Sequence, residues 1–268
     1  MKPVTELIRT RRSVRTFADR PIEAEVLEKL RAYLQQIENP YGIPVRFELL
    51  HAKEHGLTCP VISGGDYYIA AAVEDVLHGG EAFGFAFEAL VLYAWSLGLG
   101  TTWIGGTMNR TLFERAMNLA DNEIMVAVTP IGYPAEKMSL RETMMRKGVK
   151  AAVRAEFGEV FFDGSFDVPL TAEKAGRLFL PLEMVRLGPS AVNKQPWRVL
   201  MTDNAVHFFV KKGLMNAAVG TMQKADLGIA LCHFALTAKE LGIETEFVIQ
   251  DPQCGKADVE YIASYILK

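Results

Sequence analysis

Two short stretches, far apart in the chain, concentrate side chains that can do chemistry. Near the start, residues 9–17 read RTRRSVRTF. On an extended backbone Arg11, Ser13 and Arg15 project to one face, because strand side chains alternate. Two guanidinium groups and a hydroxyl on one face suit a phosphate or another planar anion, since arginine presents a fixed fork of donors. A solvated basic edge after a short N-terminal helix would give the same pattern. Far downstream, residues 188–200 read GPSAVNKQPWRVL. Pro189 and Pro196 bias Gly188 and Gln195 toward extended geometry. Asn193, Gln195 and Trp197 would then share a face. The two amides each donate and accept, which suits the edge of a flat heterocycle; an Asn/Ser turn entering a strand is the plainer alternative. A third stretch, LGLGTTWIGGTMNR at 97–110, brings Trp103, Ile104, Gly105 and Gly106 together. Paired glycines allow close backbone approach to a ligand and leave N–H groups exposed, or form an ordinary turn.

Several familiar chemistries leave no trace. There is no GxGxxG run, no P-loop and no GxSxG elbow. Of the five histidines, only His51 and His55 have i, i+4 spacing, and they fall where a strand should end in a loop. No metal site is expected, and no nucleophile stands beside a base. If the chain is an enzyme, a cofactor carries the reactivity.

The elements that must position these residues are legible from patterning. Half of the 268 residues are hydrophobic and 23% are charged, which describes a globular chain with a sizeable core. A net charge of -3, with signs mixed, gives no concentrated basic surface for nucleic acid. Residues 82–106 are apolar over a length that could span a bilayer, but Glu88 with Gly84, Gly98 and Gly100 predicts a helix buried in a protein core. Three scattered cysteines and the lack of an apolar leader at the N-terminus predict reduced thiols in a cytoplasmic protein.

A shift of 144 residues superposes 84–103 on 228–247. Gly84 meets Gly228, Ala94 meets Ala238, and Leu97-Gly98 meets Leu241-Gly242. In a drifting register PVRFELL (44–50) matches PWRVLM (196–201), and PIEAEVLEKL (21–30) matches PLTAEKAGRL (169–178). The matches keep their order, so we read a duplication, each half running helix, strand, long helix, strand. The boundary is set between 1–145 and 146–268, and the class is α+β. Two tandem repeats in one chain predict an intramolecular pseudo-dimer, with the first long helix central and the second, carrying His233, Lys239 and Glu240, wetter on one side. Further association into a homodimer is left open.

Taken together, RRSVRTF, PSAVNKQPWRV, LGLGTTWIGG and the following GYPAEK resemble the FMN-dependent nitroreductase family, in its single-chain, internally duplicated branch. The resemblance implies an α+β fold with FMN between two halves. It implies that Arg11, Arg12, Ser13 and Arg15 hold the phosphate, ribityl chain and N1/O2 side of the ring. Pro189, Ser190, Ala191, Asn193 and Gln195 would contact the isoalloxazine from the other half. Trp103, Ile104, Gly105 and Gly106 would lie near N5, with a backbone N–H of Ile104 or Gly105 orienting hydride transfer. Lys137 and Arg141 would reach the phosphate. Arg15 would stabilise the charge of the reduced ring, making it, with Ile104 and Gly105, the catalytic group. The family's chemistry is ping-pong reduction of a nitroaromatic, quinone or similar small-molecule acceptor by NAD(P)H. Here each half carries only one of the complementary motifs: IENPYGIPVRF stands where the second half has GPSAVNKQPWRV, and RAEFGEVFF stands roughly where the first has RRSVRTF. One FMN per chain follows. A flavin reductase, a specialised dehydrogenase or fragmentation enzyme, and a non-catalytic flavin-binding protein are the alternatives.

Overall fold

The computed structural model describes residues 2–214 and 220–268. The first half runs α1 (Val4–Thr10), α2 (Ala24–Leu34), β1 (Val45–His51), α3 (Ala52–His55), β2 (Tyr67–Glu74), α4 (Gly79–Ser96), α5 (Arg110–Ala116), β3 (Glu123–Ile124), β4 (Val128–Ile131) and α6 (Leu140–Gly148). The second runs α7 (Phe157–Val160), β5 (Phe161–Asp163), α8 (Ala172–Ala175), α9 (Phe179–Arg186), β6 (Trp197–Met201), β7 (Ala205–Lys211), α10 (Gly220–Glu240), β8 (Thr245–Val248) and β9 (Val259–Leu267). This is the α+β arrangement of two repeats. In the first sheet β2 pairs antiparallel with β1, β3 and β4. In the second the order is β5-β6-β7-β9-β8, and only the β5–β6 pair is parallel. The pairs β1/β6, β2/β7 and α4/α10 follow one another in the same sequence.

The long helices lie between the two sheets. Phe83, Phe87 and Leu90 of α4 are wholly buried, with α2 and β2 against one side and α10 against another. An all-apolar helix is stable only when neighbours cover every face. Among the described residues no helix is long and apolar enough to cross a membrane. Both long helices end as the repeat requires. Gly98 (φ 81°) follows Leu97 and Gly242 (φ 66°) follows Leu241, a left-handed conformation that glycine adopts without steric cost.

The helices cross at two glycines. A Cβ on Gly84 would collide with the Ala225 carbonyl, and one on Gly228 would collide with the Glu81 carbonyl. The offset of 144 residues that separates Gly84 from Gly228 also separates Glu81 from Ala225. The contact is therefore reciprocal, as across the two-fold axis of an isologous dimer. The expected wetter side of α10 holds only at its end, where Lys239 and Glu240 are exposed. His233 is buried instead: Nε2 lies 3.0 Å from Glu88 Oε1 and Nδ1 lies 2.8 Å from the Met184 carbonyl oxygen. The reason is Glu88 itself, a carboxyl inside an apolar helix that must find partners.

Candidate functional site

The RRSVRTF segment is a pinned, extended run. The Arg11 N–H closes α1 onto the Leu7 carbonyl at 2.8 Å, after which Val14 N donates to Thr101 O at 2.8 Å and Ser63 N to Arg15 O at 2.9 Å. Glu142 of α6, 1% exposed, fixes it from behind. Its carboxylate accepts from Arg12 Nη1 at 3.2 Å, Arg15 N at 3.1 Å and Thr16 Oγ1 at 2.9 Å. So anchored, Arg11, Arg12, Ser13 and Arg15 all border one cavity of about 840 Å³, within the usual size of a cofactor site.

The second half supplies the facing wall with Pro189, Ser190, Ala191 and Asn193. The wall is not the extended run expected from the prolines. Val192 (φ 44°), Asn193 (φ 58°) and Gln195 (φ 49°) take left-handed conformations, so the chain coils and enters β6 only at Trp197. Such non-glycine conformations are strained and persist only where surrounding bonds hold them. The two amides are those bonds. Asn193 Nδ2 donates to the carbonyls of Lys150 and Val153, both at 2.9 Å, and its Oδ1 accepts from Arg154 Nη1 at 3.2 Å. Gln195 Oε1 accepts from Ala155 N at 2.8 Å, and its Nε2 donates to Asn193 O at 3.2 Å. Both amides bind the chain's own backbone, and Gln195 is not part of the cavity wall. Nor does Trp197 share a face with them; it is wholly buried in the core of the second half.

Trp103, Ile104, Gly105 and Gly106 border the cavity. Trp103 packs on Phe87 with ring centroids 4.4 Å apart, and its Nε1 donates to Glu88 Oε2 at 2.9 Å. Ile104 exchanges both backbone hydrogen bonds with Val128, each at 2.9 Å, so its N–H is committed, whereas the Gly105 N–H has no partner among the described residues. Lys137 and Arg141 stand apart. Lys137 is exposed outside the cavity wall, and the Arg141 guanidinium bonds the Pro60 carbonyl. The α6 helix turns the other way at Arg141 and brings Arg146 in instead.

Sequence patterning missed Arg146, Arg154 and Asp226, which all border the cavity. The only hint of the first two was a basic run, RKGVKAAVR, in an unremarked linker. The cavity carries more cations than carboxylates. Arg11, with its side chain 5% exposed, has no hydrogen bond at Nε or Nη1 among the described residues, and the Glu88 carboxylate is 3.7 Å from its Nε. Burial lowers the Arg15 guanidinium, opposed by Glu142 and reinforced by Arg146. Burial, then the charges of Arg11, Arg186 and Arg146, lowers Arg154 to about 10. Cations crowded out of water with unspent donors attract a negative group that offers acceptors. Among the described residues no cluster of His, Cys, Asp or Glu is placed to hold a metal.

The family model described as "Putative TM nitroreductase" matches residues 3–238. A solved nitroreductase from Thermotoga maritima is 20% identical, covers 99% of this chain and 93% of its own, and superposes with a TM-score of 0.64. A nitroreductase family protein from Clostridium novyi (22% identical, 50% of this chain, 87% of its own, TM-score 0.43) is also similar. So is an FMN-dependent nitroreductase from Clostridium difficile (18%, 53%, 94%, TM-score 0.42). No curated protein matches. With a matching model over most of its length and one fold shared from end to end, this chain belongs to the nitroreductase family, as a single polypeptide of two tandem repeats.

Proposed function

We propose that the protein is an FMN-dependent oxidoreductase that takes reducing equivalents from NAD(P)H and passes them, by a ping-pong cycle, to a nitroaromatic, quinone or similar acceptor. The observation that carries this reading is the unspent donor pair of buried Arg11, in a cavity shared by both halves and bordered by Arg15, Arg146 and Arg154. A flat, anionic ligand satisfies those donors, whereas water alone leaves the cations crowded and uncompensated. Bound there, FMN would supply a two-electron couple able to accept and give a hydride equivalent.

The chain's own residues do the rest. Arg11, Arg146 and Arg154 would hold the phosphate, with the Arg12 and Ser13 segment beside them. Arg15 would offer a preorganised cation to a ring that gains negative charge on reduction. The Gly105 N–H would be available to donate to the ring. Trp103 and the Pro189–Ala191 wall would exclude water, and the remaining space would admit NAD(P)H and the acceptor in turn. The need for NAD(P)H and the three free cysteines fit a cytoplasmic setting. The purified protein should be yellow, bleach with NADH or NADPH, and regain its colour with a nitro compound or quinone. Retained colour that no nicotinamide bleaches would favour a non-catalytic flavin protein, and a chain that never binds FMN would end the reading.

A further inference from the structure

One group in the cavity wall has no task in the reading above. Asp226, on α10, is 2% exposed and borders the cavity beside Ser190, Ala191, Met222 and Ile229. Its carboxyl accepts from a single donor, the Ala191 N–H, at 3.0 Å to Oδ1 and 3.2 Å to Oδ2. Among the described residues it has no ion pair, although six arginines border the same cavity. The charged groups on the elements packed around α10 are committed elsewhere. On α4, Glu88 bonds His233 and Trp103, and the charge beside Glu81 is Lys224 of α10 itself. On α9, Glu183 pairs with Arg186. On β6, Arg198 donates to Gln195 and Trp197 carbonyls, and on β7 His207 bonds Ser264.

We propose that Asp226 is the proton donor of this cavity, its carboxyl O–H directed at the bound acceptor. The argument is one of unspent donors. Burial with one hydrogen bond and no ion pair among the described residues raises the carboxyl well above its ordinary range, which favours its neutral, proton-carrying form. A neutral carboxyl accepts at one oxygen and donates from the other. The Ala191 N–H uses the acceptor, and among the described residues the carboxyl has no other hydrogen bond, which leaves its O–H for a ligand in the cavity that it borders. The repeat isolates the residue: the position that corresponds to Asp226 in the first half is Ala82. The acid belongs to the side that bears the cavity of about 840 Å³.

This inference rests on the flavin reading, and it supplies what that reading lacks, a source of protons. With a quinone as acceptor, the hydride equivalent of the reduced cofactor goes to one carbonyl oxygen. The Asp226 O–H bond breaks, its proton goes to the other, and hydroquinone leaves. Asp226 is left as a carboxylate and takes a proton back from water at the cavity mouth.

The test compares wild type with Asp226→Asn, which keeps an acceptor for Ala191 N–H and a donor toward the cavity but has no proton to give. In the apoprotein, infrared spectroscopy should show a protonated-carboxyl band at neutral pH that the substitution removes. In the FMN-loaded protein, the substitution should slow quinone reduction about 100-fold or more, with FMN affinity within about threefold. Its rate should rise toward low pH, where solvent protons substitute, while the wild-type rate stays flat until the acid ionises. A role confined to positioning Ala191 would weaken FMN and leave the pH profile unchanged; that result overturns the proposal, as does a carboxylate band at neutral pH. Failure of both proteins to bind FMN overturns the flavin reading and this inference together, whereas normal flavin reduction with an unchanged acceptor step overturns this inference alone.

Discussion

The two sides of the pseudo-symmetric core began with the same parts and now differ in what fills them. On one side Trp103, Met222 and Ala225 border or approach a cavity. The positions 144 residues away are Phe247, His78 and Glu81, and they surround Tyr41. The Tyr41 ring stacks on His78 at 5.1 Å and meets Phe247 edge-on at 4.9 Å. By the register that aligns Pro44 with Pro196, Tyr41 corresponds to Asn193. Thus the loop that clasps the linker on the cavity side inserts an aromatic plug on the other. The lesson is that a duplicated backbone need not keep a duplicated cavity lining. One bulky side chain at a loop apex occupies the space, and the guanidinium groups are not there to attract an anion.

Breaking the comparison starts with its largest charge difference. Glu88 holds Trp103 and His233, while its counterpart Cys232 is a buried thiol. We expect Glu88→Ala to cost about 3–5 kcal/mol in urea unfolding, because it strands the buried Arg11 guanidinium and the polar nitrogens of Trp103 and His233, and Cys232→Ala to cost far less; equal costs would mean that Glu88 anchors none of them. Tyr41→Ala should cost about 3 kcal/mol by leaving a void, yet titration should still find one FMN per chain. Tyr41→Phe should be neutral or slightly stabilising, because the hydroxyl is buried without a partner. Arg15→Ala should weaken FMN binding about 10- to 100-fold and lower the flavin potential, both readable by titration; unchanged values would remove its assigned role. Gly84→Ala and Gly228→Ala should each cost about 1–3 kcal/mol by overpacking the helix crossing. Their similarity sharpens the comparison, since the axis is the part both halves still share.

The smallest effect is a linkage. Burial raises Asp226 above its ordinary value of 3.8, so above that pH the folded chain keeps a proton that the unfolded chain has lost. Stability from this group is complete at low pH and falls as pH rises toward the folded value. Asp226→Asn should therefore melt progressively higher than wild type between pH 4 and 8, by at most a few degrees, and a gap independent of pH would contradict a raised carboxyl.

Particular residues show how far the sequence reaches. The pairing of Gly98 with Gly242, and of Gly84 with Gly228, was legible because glycine at a helix end or crossing is a local steric demand that leaves its mark at fixed spacing. RRSVRTF was legible as an extended run of polar donors because alternation needs only an extended backbone, and it borders the cavity. Asn193 and Gln195 were read on one face with Trp197 because prolines favour extension. The structure coils there, since hydrogen bonds to residues 150–155 outweigh that local bias. Arg146 and Arg154 were missed, and Lys137 and Arg141 placed too near, because the turn of α6 decides which side chains of a basic stretch face inward.

The sequence by itself determined the element order, the duplication, the arginine run and the family resemblance, all of which rest on spacing within a segment or on copies of a segment. Only the tertiary structure decided that His233 is buried against Glu88, that Tyr41 fills the second side, and that Asp226 borders the first without a counter-charge. These depend on which distant groups meet out of water, and the strength of a charge or hydrogen bond is set by the surroundings that folding creates.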